Sequence, residues 1–99
     1  MRIPLTGLAA ARTSLDVRAH NIANLSTEGF DAQQPSLRAV EPRGGVAVEA
    51  VTAGEGVDLA TEIVGTIVAK AMYDANARVL RTQAETERNL LDVLAWSAA

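Results

Sequence analysis

Cysteine is absent from these 99 residues, and histidine occurs once, at His20. Those two gaps exclude a Cys/His zinc site, a disulfide framework and a cysteine nucleophile. Aromatic side chains are nearly missing as well, with one Phe, one Tyr and one Trp. Lysine and arginine never gather into a run, and the formal net charge is −3. A nucleic-acid binder usually carries a basic face that this composition does not offer. No apolar stretch comes near the roughly 20 residues that span a bilayer. The opening Met1-Arg2-Ile3-Pro4-Leu5-Thr6-Gly7 has one basic residue and no long apolar core, so it does not read as a cleavable secretory signal. The catalytic inventory is thin too. No carboxylates pair in a cleft pattern, and His20 has no nucleophile at a known spacing. Gly44-Gly45 and Gly54-Glu55-Gly56 lack the lysine or the strand–loop–helix setting of a phosphate loop. Neither an enzyme, nor a cofactor, nor a metal site is expected.

What the chain has in quantity is alanine. Hydrophobic residues make up 48%, and 19 of them are alanine. Such a composition lets helices approach closely but fills a globular core poorly. The length supports one domain. A chain of this size hides only roughly 60–65% of its unfolded surface, so partners are expected to cover part of the rest.

Periodicity divides that domain into segments 1–26, 27–56 and 57–99. In the first, Leu8, Leu15 and Ile22 recur every seven residues, with Ala11 and Leu25 beside them. That spacing predicts an N-terminal helix with a narrow heptad seam. Asp16 lies four residues from both Arg12 and His20, within reach on an outer helix face. Ser26, Thr27 and Gly29 end the pattern, and Gly29 suits a turn with positive φ. The second segment turns β-like. Val46-Ala47-Val48-Glu49-Ala50-Val51 follows the turn signal Glu41-Pro42-Arg43-Gly44-Gly45, which predicts a hairpin with residues 30–40. Pro35 makes that first strand an edge or an irregular one. Gly54-Glu55-Gly56 reads as a hinge.

The third segment predicts one long helix. Val64, Val68, Ala71, Met72, Ala75, Val79, Thr82, Thr86, Leu90, Val93 and Leu94 trace a single stripe, widened by Leu59, Ile63, Ile67, Leu80, Ala84 and Leu91. Asp58 is placed as its N-cap, and Glu62 in its first turn, where an acid suits the helix dipole. Asp74/Arg78, Arg81/Glu85 and Arg88/Asp92 are i,i+4 pairs. At about 1.5 Å per residue this helix is roughly 55 Å long against roughly 35 Å for the first, so it must overhang its partner. Residues 1–40 carry four basic and three acidic groups, residues 41–99 five and nine. This favours pairing of the two ends, weakly, because salt screens it.

Two motifs carry a family resemblance. The run Ser14-Leu15-Asp16-Val17-Arg18-Ala19-His20-Asn21-Ile22-Ala23-Asn24-Leu25-Ser26-Thr27-Glu28-Gly29-Phe30 closely resembles the N-terminal signature of bacterial flagellar rod and hook proteins. The matching positions are Ser14, Leu15, Asn21, Ile22, Ala23, Asn24, Thr27, Gly29 and Phe30, and Thr6-Gly7-Leu8 resembles the small-Gly-Leu that precedes them. At the other end, Val57-Asp58-Leu59-Ala60-Thr61-Glu62-Ile63-Val64 and Tyr73-Asp74-Ala75-Asn76-Ala77-Arg78-Val79-Leu80-Arg81-Thr82 resemble that family's C-terminal pattern. Its candidate assembly residues here are Leu8, the N-terminal positions just given, and Asp58, Leu59, Glu62, Val64, Tyr73, Ala75, Asn76, Val79 and Thr82.

The resemblance implies a mainly α fold. Two long terminal helices pack as a helical hairpin or coiled coil, and here the insert between them is only a small β-hairpin. It also implies a structural subunit of the flagellar basal-body rod. Such a subunit assembles with itself and with other axial proteins, and it is exported by the flagellar type III apparatus without a cleavable signal. Neither a nucleic acid nor stable membrane insertion is implied. The short insert leaves a second reading open, a closed-oligomer coiled-coil adaptor or assembly regulator that is not built into the rod. A peripheral membrane helix is disfavoured, since Glu62, Asp74, Glu85, Glu87 and Asp92 offset Lys70, Arg78, Arg81 and Arg88 on the long helix.

Single residues carry their own expectations. Asn21 and Asn24, one turn apart at a helix end, serve local capping, hydrogen bonding between subunits, or both. Phe30 plugs the junction of helix and hairpin, and His20 pairs with Asp16 at the surface. Tyr73 and Asn76 contact the N-terminal helix or its turn. Gly65 either marks a tight helix crossing or is merely tolerated, at about 1 kcal/mol relative to alanine. Trp96 is an anchor buried on assembly or lies on a frayed end.

Overall fold

The computed structural model describes residues 2–54 and 56–98. Four elements follow one another: helix α1 (Arg2–Ala23), strand β1 (Gln33–Ala39), strand β2 (Val46–Ala53) and helix α2 (Leu59–Ala98). Helix α1 tolerates Pro4 because a proline in the first turn removes an N–H that has no intrahelical acceptor. It ends in a series of turns over residues 21–30. The Asn24 side chain donates to the His20 carbonyl, and the Thr27 hydroxyl donates to Asn24 Oδ1. Gly29 takes the positive φ its position requires, 76°.

The strands form an antiparallel hairpin, closed by Gly44 N–H to the Val40 carbonyl and Val40 N–H to the Gly45 carbonyl. The ladder slips between Ser36 and Leu37, next to Pro35, and leaves Glu49 as the extra residue on β2. The predicted irregularity is therefore a bulge. The last bond before α2 runs from Gly54 N–H to the Ala32 carbonyl, so Gly54 still belongs to the hairpin. Glu55, central to the expected hinge, lies outside the described residues.

Asp58 caps α2 as its position demands. Oδ1 accepts the Ala60 N–H at 3.2 Å and Oδ2 accepts the Thr61 hydroxyl at 3.0 Å. Helix α2 runs antiparallel to α1, since Arg18 meets Glu62 and Gly7 meets Asn76. Its 40 residues against the 22 of α1 make the molecule a rod, 69 × 26 × 14 Å. From residue 81 to residue 98 every position is exposed. The predicted overhang is real.

The seam between the helices differs from the one the periodicity predicts. Pro4, Gly7, Ala10, Ala11, Ser14, Val17 and Asn21 are buried on α1, and Glu62 and Ala69 on α2. Leu8 and Leu15 are only half-buried, and Ile22 and Leu25 are exposed. On α2 the stripe residues Val64, Ile67, Val68 and Val79 are exposed too. Small side chains let the two backbones approach, which large ones at the same positions would prevent. Ile22 and Leu25 of the heptad pattern and the valines of the α2 stripe are then left exposed, with Leu8 and Leu15 at the rim. The buried apolar set is four alanines and one valine, Ala10, Ala11, Ala32, Ala69 and Val17, a thin core for a domain of this size.

Candidate assembly surface

Several motif side chains turn inward and build the chain itself. Asn21 is fully buried. Its Oδ1 accepts the Gln33 N–H at 2.8 Å and its Nδ2 donates to the Gln33 carbonyl at 2.9 Å. One amide thus pairs both backbone groups of the first β1 residue, as a neighbouring strand would. Both ends of the amide are engaged within the chain, and the side chain is buried away from the surface. Asn24 takes the capping role instead. The other end of the hairpin is fastened by Thr6, whose hydroxyl accepts the Val46 N–H at 3.0 Å and donates to the Ile3 carbonyl. Arg2 adds a bond to the Arg43 carbonyl. The hairpin therefore lies along α1, tied at both ends.

Glu62 lies in the first turn of α2, as the sequence suggests, but not on its polar face. It is 1% exposed, and its Oε2 meets Arg18 Nη1 at 3.2 Å. This is the one ion pair within 4.0 Å among the described residues. The expected Asp74/Arg78, Arg81/Glu85, Arg88/Asp92 and Asp16/His20 contacts do not close to that distance, because exposed pairs gain little from holding two side chains in one geometry. His20 instead sets its ring edge-on to Phe30, centroids 5.3 Å apart, and Phe30 at the junction is half-buried. Arg18 lies across α2 where Gly65 leaves room, and a Cβ there would overlap the guanidinium. Gly65 does mark a tight crossing. Arg18 Nε is buried with no hydrogen-bond partner among the described residues. Asn76 donates to the Met72 carbonyl and rests its amide against Gly7, where a Cβ would not fit. Its contact with the N-terminal helix is present, whereas its neighbour Tyr73 is exposed.

Of the remaining motif residues most are exposed or at the rim. Ser14 is buried in the seam, and Leu8 and Leu15 are half-buried. Ile22, Ala23, Thr27, Gly29, Leu59, Val64, Ala75, Val79 and Thr82 are exposed. The sequence reading missed Arg18 and Gln33. The signal for Arg18 was available in combination only, as an arginine within one motif and an acid followed one turn later by glycine in the other.

Two features stand out on the exterior. One is the overhang, where Leu90, Leu91, Val93, Leu94 and Trp96 are all more than half exposed. The other is a groove of about 310 Å³ between α1, β1 and α2, lined by Ser14, Arg18, Pro35, Leu37, Val68 and Met72 among others. Among the described residues no helix is long and apolar enough to cross a membrane, and no cluster of His, Asp or Glu is arranged to hold a metal.

Comparison with known families returns two matches at separate places in the chain. A family described as "Flagella basal body rod protein" matches residues 1–30. A second, described as "Flagellar basal body rod FlgEFG protein C-terminal", matches residues 50–93. No curated protein matches the chain significantly.

Proposed function

The chain belongs to the flagellar basal body rod and hook protein family, and from that premise we propose that it is a structural subunit of the rod, assembling through its terminal helices. Family membership places it with the flagellar basal body and its axial components. The finer reading rests on one observation above all. Helix α2 extends 18 residues beyond its own partner helix, and its large apolar side chains there are bare. A contiguous exposed apolar face on a soluble chain marks an interaction surface. The two ends of the rod are unlike, with the hairpin at one and a single helix at the other. Contacts between unlike surfaces are heterologous and generate open helical assemblies. Export by the flagellar type III apparatus belongs to the same reading, supported by a thin core that unfolds at modest cost. The subunit is not an enzyme in this reading.

The test is isolation of detergent-resistant hook–basal bodies from the native cell, followed by mass spectrometry of their components. The chain is expected among them in stable amounts. Its absence there, with the protein recovered as a closed oligomer in the cytoplasm, would replace the subunit with an adaptor or assembly regulator.

A further inference from the structure

We propose that Trp96 of one copy inserts into the groove between α1, β1 and α2 of a second copy, so that identical chains join head to tail. This deepens the subunit reading and rests on it. Trp96 is the single tryptophan and is 83% exposed. Exposed tryptophan is rare in a molecule without a partner, and buried aromatic anchors dominate interface energetics. The groove is the size of a small binding pocket, about 310 Å³ against roughly 300–1,000 Å³ for such sites. Its walls are apolar, from Pro35, Leu37, Val68 and Met72, with Arg18 beside them. The Arg18 guanidinium, held by Glu62 and with its side chain 15% exposed, borders this apolar cleft and places a cation beside an incoming indole.

The chain cannot fill its own groove. Met72 and Trp96 stand on the same helix, 24 residues or about 36 Å apart at the α-helical rise. The occupant is therefore another molecule. Charge favours a second copy in this orientation. Helix α1, which forms one groove wall, carries three arginines and one aspartate, Arg2, Arg12, Arg18 and Asp16. Residues 81–98 carry three carboxylates and two arginines, with Asp92 one turn before Trp96 on the same side. Two overhangs, each with one more carboxylate than arginines, offer each other no such complementarity.

The test uses the full chain, with Trp96 fluorescence reporting burial and sedimentation reporting mass. On raising the concentration, the parent is expected to associate and its emission to shift to the blue. Trp96→Ala and Val68→Asp are each expected to weaken association roughly 30-fold or more, as truncation of an interface hot spot does. Both sites are more than half exposed, and circular dichroism checks that the helices remain. Mixing the two variants is decisive. Val68→Asp offers a tryptophan without a groove and Trp96→Ala a groove without a tryptophan, so together they should form a 1:1 pair that grows no further, with the blue shift restored. A Val68→Asp chain that associates and shifts like the parent overturns the proposal. So does a parent that associates without a shift or remains monomeric. Recovery of the chain in basal bodies alongside such a result would leave the subunit reading standing and remove this contact alone.

Discussion

Asn21 shows how much one amide can hold. Its oxygen and nitrogen satisfy the N–H and C=O of Gln33 in a site closed to water. Removing it leaves two buried backbone groups unpaired, at about 1–3 kcal/mol each. Asn21→Ala is therefore expected to lower stability by about 2–4 kcal/mol in urea denaturation, and Asn21→Asp, which keeps an acceptor and loses the donor, to be destabilising as well. Asn24→Ala, at an exposed cap, should cost about 1 kcal/mol. Gly65 gives a test of opposite sign. In an unencumbered helix glycine to alanine gains about 1 kcal/mol, but here the new methyl overlaps the Arg18 side chain and must displace it from its place beside Glu62, which is expected to outweigh that gain. Gly65→Ala is expected to destabilise the parent and to stabilise a chain already carrying Arg18→Ala and Glu62→Ala. A double-mutant cycle on calorimetric midpoints reads that reversal. These roles were only half legible beforehand. The asparagines stood out by type and position, but which of the two reached another element depended on where β1 came to lie.

At the scale of elements, the hairpin and the two helices appear where turn chemistry and periodicity put them, within a few residues. Asp58 as cap and the Glu41-to-Gly45 turn are local signals, and local signals survive folding. The seam is a different matter. Heptad spacing identified Leu8, Leu15 and Ile22 with Ala11 and Leu25, yet of these only Ala11 is buried, in a packed face it shares with Gly7, Ala10, Ser14 and Val17. Hydrophobic patterning reports which residues avoid water in the working state, and for an assembling chain that state includes neighbours. The overhang follows from the same logic. The overhanging end of a helix frays, because its turns have only their own hydrogen bonds and no tertiary contact to hold them. Amides of residues 81–98 are expected to exchange with solvent orders of magnitude faster than those of residues 62–76 in the dilute chain, and to gain protection on assembly, read by hydrogen exchange. Equal protection in both segments of the monomer would contradict this.

For the whole molecule, the proposed reading puts stability and assembly in different parts. Everything that ties the hairpin and helices together lies within residues 2–80, including both hairpin tethers, the ion pair and the Asn76–Gly7 contact. A chain ending at Leu80 is expected to unfold at a urea midpoint close to that of the parent while losing concentration-dependent association. A large drop in the midpoint would mean that the distal helix supports the core after all. The thin alanine core fits a subunit whose monomer is a component rather than a finished product.

The sequence by itself determined the elements, their order, the inequality of the helices and the family, because these rest on local periodicity, turn residues and two motifs of fixed spacing. The tertiary structure alone decided which helix face packs inward, that Glu62 is buried against Arg18, and that Asn21 serves a strand. Each of those depends on groups 12 to 69 residues apart, from Asn21 and Gln33 to Gly7 and Asn76, and no local pattern encodes which distant side chain arrives. Close approach through small residues decided the rest. It put Gly7, Ala10, Ala11 and Ala69 in the seam and left most of the large apolar side chains of α2 exposed.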